Sequence, residues 1–331
     1  MNILYLIGNG FDLAQGAKTC YPAFYKEYVN SAPVNDVEKG IIDEIREDIV
    51  TWSDMEYALG KFTAKVSDAE AFTEAYESLS EKLKSYLISE QAKIEPQEGK
   101  FRPFLTMPEA SLSAREREML TSNLQVLAGV ARISAISFNY TDLFEKSIGY
   151  RYKVEDLSTN FLGRKTQLVS FVKIHGSLQN SVLLGVDRKE QIANEGFANN
   201  PDVGDFLIKP QTNHLIGSLR DREAAKLIEG ANLIIVFGMS IGETDKSWWE
   251  CIYKRLLETN VWMIIFGYSQ DVNMSTPWKA GKKSREIKSR FMSVADVPAE
   301  MINKIDSKIF VSFDKGFFNP ETELGEVKSL A

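Results

Sequence analysis

Cysteine and histidine are scarce, with two of each among 331 residues. Cys20 and Cys251 are too few for a zinc ribbon and too far apart for a redox pair. A tetra-cysteine metal site is thereby excluded, no metal is expected, and a reducing, cytoplasmic setting is. Positive charge is also short. There are 39 Lys and Arg against 46 Asp and Glu, a net charge of −7, which argues against a nucleic-acid partner because such proteins neutralise phosphates with a basic footprint. The basic run at Lys279 and Lys282-Lys283-Ser284-Arg285 reads as a solvated face. Long apolar runs are missing too. The first one lacks a basic flank and breaks at Gly8, too early for a signal peptide or a membrane span, so no membrane partner is expected.

What is present is ordinary globular material, 44% hydrophobic and 26% charged, long enough for one large domain or two smaller ones. The first apolar run, Ile3-Leu4-Tyr5-Leu6-Ile7, ends in Gly8-Asn9-Gly10-Phe11-Asp12. A buried strand stopped by Gly-x-Gly reads as the first strand of a parallel sheet, its glycines letting backbone N–H groups approach a pyrophosphate. The third glycine of the dinucleotide fingerprint is absent, so the turn alone is a weak marker. Asp12-Leu13-Ala14-Gln15 has capping-box spacing and Gly16 reads as a stop, giving a one-turn helix. From Pro22 to about Gly129 apolar residues recur at helical spacing, as in Phe72, Tyr76, Leu79, Leu83 and Tyr86-Leu87. This predicts a helical insertion over 21–129 within an α/β core made of 1–20 and 130–331.

Strand patterns resume at 131–138, 168–174, 182–186, 232–237, 261–266 and 308–313, with helices expected at about 211–229 and from about Glu243. This alternation predicts a three-layer, Rossmann-like parallel sheet covered on both faces. Ligands of such sheets bind at the carboxyl ends of the strands. Four runs deliver small or hydrogen-bonding residues there: Gly8 to Asp12; Phe138-Asn139-Tyr140-Thr141-Asp142; His175-Gly176-Ser177; and Gly238-Met239-Ser240-Ile241-Gly242-Glu243-Thr244-Asp245. His175 follows a buried strand and is placed for chemistry, whereas His214 reads as surface or cap. Asn139 either caps the next helix or projects its amide into the cleft. Asp12 beside a pyrophosphate would be repelled, so it either accepts from ribose hydroxyls or caps its helix. Gly238 to Gly242 matches a nucleophile elbow, but both histidines precede Ser240, the wrong order for that triad. Ser240, Thr244 and Asp245 read instead as a polar loop for ribose or phosphate, or as the cap of the helix carrying Trp248 and Trp249. Asp54 or Glu56, after Trp52-Ser53, either start a helix or line the cleft.

Leu6-Ile7-Gly8-Asn9-Gly10-Phe11-Asp12-Leu13-Ala14, Trp52-Ser53-Asp54 with Glu56, Phe138-Asn139-Tyr140-Thr141, Ile174-His175-Gly176, and Gly238-Met239-Ser240 with Glu243-Thr244-Asp245 together resemble the AbiH family of bacteriophage abortive-infection proteins. That family in turn looks like a distant branch of sirtuin-type NAD-binding folds. By position Gly8 and Gly10 match the sirtuin glycines, Asn139 the central asparagine and His175 the histidine of the His-Gly pair. Asp12 stands where sirtuins have serine, Thr141 where they have the aspartate that holds the nicotinamide amide, and the zinc-ribbon cysteines are missing, which argues against protein deacylation. The resemblance implies a phage-defence protein with NAD as substrate or ligand. The expected catalytic pair is Asn139 and His175; Gly8, Asn9, Gly10, Phe11, Asp12, Thr141, Gly176, Gly238, Ser240 and Asp245 are expected to bind the nucleotide. Hydrolysis at the nicotinamide–ribose bond is the first reading, and a non-hydrolytic nucleotide sensor the alternative. A second copy of the chain or another defence component is a possible partner.

Overall fold

A computed structural model describes residues 1–180, 182–269, 272, 277–319 and 321. Seven strands form one sheet: β1 (Asn2–Ile7), β2 (Ala131–Ser137), β3 (Glu155–Phe161), β4 (Arg164–Lys173), β5 (Leu233–Phe237), β6 (Trp262–Phe266) and β7 (Ile309–Ser312), in the spatial order β3-β4-β2-β1-β5-β6-β7. Every pairing is parallel except that of β3 with β4. The apolar run of β1 has a direct cause in this placement. Ile3, Tyr5 and Ile7 face one core and Leu4 and Leu6 the other, as a central parallel strand buried on both faces requires.

Two expectations are corrected, and one strand went unread. The run 182–186 is not a strand, and its described part makes only isolated bridges, Val182 with Gly176 and Val186 with Ile208. Its apolar side chains, Leu184 and Val186, instead pack with helices. β3 went unread because Glu155-Asp156-Leu157-Ser158-Thr159-Asn160-Phe161 lacks apolar alternation; it is an edge strand held to β4 by a two-residue turn, Leu162-Gly163. The helix expected over 211–229 is two helices, separated near Gly217, where φ is +66°.

Helix α1 (Gly10–Ala14) is a single turn, and its N-cap is Asn9, so Asp12 lies inside it and caps nothing. Helices α2 (Tyr21–Tyr28), α3 (Asp36–Glu47), α4 (Met55–Phe62) and α5 (Ala69–Ala92) build their own apolar cluster around Trp52, Leu59, Phe72 and Leu79. Residues 101–124, which read as part of the same helical stretch, pack elsewhere: Phe101, Phe104 and, on α6 (Ala114–Leu124), Leu120 lie on the sheet face with Ile3 and Tyr5, beside α7 (Leu143–Ser147). Helices α8 (Glu195–Ala198), α9 (Pro201–Leu207) and the residue preceding α10 (Lys209–Leu215) join the α2–α5 cluster through Phe197, Leu207 and Ile208. The opposite sheet face is covered by α11 (Arg220–Gly230), α12 (Lys246–Leu256), α13 (Pro277–Val294) and α14 (Ile302–Asp306). Among the described residues no helix is long and apolar enough to cross a membrane. Since β1 lies between β2 and β5, the loops leaving all three strands meet at one end of the sheet, where open parallel sheets hold their ligands.

Candidate active site

The glycines after β1 and β5 lock two loops together. A Cβ on Gly10 would stand 2.4 Å from the Gly238 Cα, and one on Gly8 would stand 2.6 Å from the Gly238 oxygen. Gly238 itself has φ +69°, a conformation that side chains disfavour. The loop amides expected to face a pyrophosphate are used in the same contact: Gly8 N–H donates to Phe237 O (2.9 Å) and Gly10 N–H to Gly238 O (2.8 Å). Close backbone approach thus accounts for Gly8 and Gly10 without a ligand.

Asp12 is 1% exposed and organises the neighbouring loop. Its two oxygens accept from Asn139 Nδ2 (2.9 Å) and Thr141 Oγ1 (2.5 Å). Burial pushes its carboxyl up to about 6, against the lowering effect of those two hydrogen bonds. Asn139 Nδ2 also donates to Gly8 O (3.1 Å). Two acceptors identify this end of the amide as nitrogen, so Oδ1 is the other end. Asn139 Oδ1 is buried and has no hydrogen-bond partner.

Across the cleft, His175 sits edge-on to Phe138 with ring centroids 5.3 Å apart. Its Nε2 is 3.1 Å from Asp245 Oδ1, which Lys209 Nζ approaches at the same distance. Lys209 Nζ also donates to Glu56 Oε2 (3.0 Å), and Tyr140 OH donates to Glu56 Oε1 (3.1 Å). The hydroxyl of Tyr21 bonds that of Tyr140. Burial drives a lysine pKa down and a carboxyl pKa up. Here the pairing overcomes burial on both sides, holding Lys209 above the usual lysine range and Asp245 below the usual carboxylate range. An ionised Asp245 only accepts, so His175 Nε2 carries the proton and Nδ1 is left as the acceptor. Asp245 is available for this because Asp187 caps α12 in its place, accepting from Ser247 N (2.8 Å) and Ser247 Oγ (2.7 Å).

These groups line one cavity of about 180 Å³, which gathers Gly8, Asn9, Asp12, Asn139, Thr141, His175, Gly238, Ser240 and Asp245 from the strand ends. Asp54, Glu56 and Tyr21 reach it from the helical layer. Asp54 caps α4 through Tyr57 N, and burial, reinforced by the charge of Glu56, lifts its carboxyl to about 6. Three expected residues lie elsewhere. Phe11 is fully buried against Phe101, Phe144, Phe237 and Phe318, on the core side of the loop. Gly10 is covered by Gly238, and Gly176 turns the chain into a bridge with Val182. His214 is exposed, as expected. Sequence reasoning missed Lys209. It precedes Pro210 at the start of a short helix, a pattern that reads as a helix start and carries no sign of the carboxylates it meets 36 and 153 residues away.

Among the described residues no group of three or more His, Cys, Asp and Glu side chains is placed to hold a metal ion. The molecule is thus an α/β protein with an acidic, partly open cleft at the carboxyl end of a mostly parallel sheet. It belongs to the bacteriophage abortive infection AbiH family, whose model matches residues 4–266. That span contains every strand-end segment described above. No curated protein matches the chain.

Proposed function

We propose that the cleft takes the nicotinamide–ribose end of NAD and hydrolyses the bond between them, so that a phage-infected cell loses its NAD. In this reading the sheet is Rossmann-like and distantly sirtuin-like, residues 21–129 are an insertion whose α2–α5 part walls the cleft, and the protein works in the cytoplasm. The observation that carries it is the buried, unpartnered Asn139 Oδ1 in an acidic cleft. A water donating to that oxygen is held with a lone pair left to attack C1′.

Nicotinamide leaves as a neutral ring, so no general acid is needed. The C1′–N bond breaks with its electron pair going to the ring nitrogen, and positive charge passes to the ribose. Asp12, Asp54, Glu56 and Asp245 line the cleft, Lys209 pairing with Glu56 and Asp245, and this acidic lining favours oxocarbenium character over ground-state sugar. Water forms the new C1′–O bond, and His175 Nδ1 accepts its proton or that of a ribose hydroxyl. The same carboxylates repel phosphate, and the Gly8 and Gly10 amides are occupied. The pyrophosphate therefore lies at the mouth, near exposed Ser240, rather than in the glycine loop. A cavity of about 180 Å³ agrees with one end of the dinucleotide entering.

Purified protein incubated with NAD should release nicotinamide and ADP-ribose in equal amounts by chromatography. Asn139→Ala and His175→Ala should each lower the rate by about 10²-fold or more. Turnover unchanged in both variants removes these assignments, and saturable NAD binding with no product makes the cleft a sensor.

A further inference from the structure

A second cavity, of about 290 Å³, is lined by α7, the end of β4, the loop after His175 and the first turn of α11. Its lining begins where that of the cleft stops, since Asp142 follows Thr141 and Gly176 follows His175. Lys173 is fully engaged there, donating to the Thr141 carbonyl (2.5 Å), Asp142 Oδ1 (2.9 Å) and Glu145 Oε1 (2.9 Å), with the Tyr140 carbonyl at 3.3 Å.

Two atoms of opposite demand are left over. Glu145 is 6% exposed, and its second oxygen, Oε2, is buried without a partner. Arg220, another residue of the lining, has a buried Nη1 without a partner. Arg220 also opens α11, its own amide donating to Ser218 Oγ (3.3 Å), and Glu223 in the same turn is a further carboxylate of the lining. Native proteins rarely leave buried charged groups unmet. Burial lifts the Glu145 carboxyl to about 7 in spite of Lys173, and the charge of Asp142 adds to the rise.

We propose that this cavity binds a small zwitterion of the α-amino-acid type, its ammonium group on Glu145 Oε2 and its carboxylate on the Arg220 guanidinium. A simple amine would leave Arg220 unmet, and a simple carboxylate would leave Glu145 unmet. The volume lies just under the roughly 300–1,000 Å³ of sites for drug-sized ligands, which suits a metabolite of this size. Through Lys173 the bound molecule sits one side chain away from the loop that carries Asn139. The proposal does not depend on what the first cleft does.

Isothermal titration of the full chain against each common α-amino acid, with acetate and methylamine as half-ligand probes, tests it. At least one amino acid should bind saturably while neither half-ligand does. Glu145→Gln and Arg220→Met should each weaken that binding by about tenfold or more, the loss of one charged hydrogen bond. No amino acid binding, half-ligands binding as well as amino acids, or unchanged affinity in both folded variants would each overturn it. The half-ligand comparison is made on the unaltered protein and holds even if a variant does not fold.

Discussion

At the scale of single residues, the cleft is defined by which polar atoms have partners and which do not. Asn139 is clamped through its nitrogen so that its oxygen stays available, and Asp12 is the clamp. Replacing Asp12 by Ala should therefore reduce nicotinamide release nearly as much as Asn139→Ala, although Asp12 is bound to both Asn139 and Thr141 and needs no contact with substrate. Steady-state kinetics should place the loss in kcat more than in KM, because a misplaced amide affects the reacting water more than binding. Asp54 gives a pH prediction. Its folded-state carboxyl titrates at about 6 against an ordinary 3.8, so the folded protein holds the proton more tightly than the unfolded chain, and stability falls as pH rises between those values. Asparagine is an equally good helix cap. Asp54→Asn should keep the bond to Tyr57 and remove this penalty, making the variant more stable by up to roughly 2–3 kcal/mol above pH 6 and no more stable below pH 4. Urea denaturation across that range checks it, and a difference independent of pH would contradict the assignment.

At the scale of elements, the site depends on two devices. The first is the interlock of the loops after β1 and β5. Gly10→Ala would drive a Cβ to 2.4 Å from the Gly238 backbone, where no flexible side chain can yield. The variant should lose about 1–3 kcal/mol or more in thermal or chemical denaturation, whereas Gly16→Ala, with open space around it despite its positive φ, should lose less. The second device is the wedge of Lys209 between α4 and the loop before α12. Lys209→Met leaves Glu56 and Asp245 buried without their cation and should cost about 3–5 kcal/mol, as breaking one side of a buried ion pair does. The double variant Lys209→Met with Glu56→Gln should recover part of that loss. Of the strands that carry the site, β1 and β5 were legible as short apolar runs buried on both faces, which stand out from their flanks, and β2 by the alternation of Ala131, Ile133 and Ala135. β3 was not, since a polar edge strand takes its conformation from its partner; nor was the fate of 182–186, where an apolar run serves helices instead of the sheet.

At the scale of the molecule, the convergence of distant segments is what makes a site. Asn139 and His175 stood out because each follows a strand pattern, β2 proving buried and β4 half-buried, and the parallel order brings those strand ends together. The glycine loop was legible as a location: the pattern announces close approach of backbone but does not say to what, and here the neighbour of Gly8 and Gly10 is Gly238. Lys209 was invisible because it acts through contacts far along the chain, supplied by a short helix whose position depends on packing against the α2–α5 cluster. Membership of the abortive infection family fits the proposed hydrolysis of NAD, a metabolite every cell needs. Crystals of the His175→Ala protein soaked with NAD test this most directly. The account predicts density for an intact dinucleotide with its nicotinamide ribose beside Asn139 Oδ1 and its pyrophosphate at the mouth near Ser240; NAD bound elsewhere, or an empty cleft at saturating NAD, would contradict it.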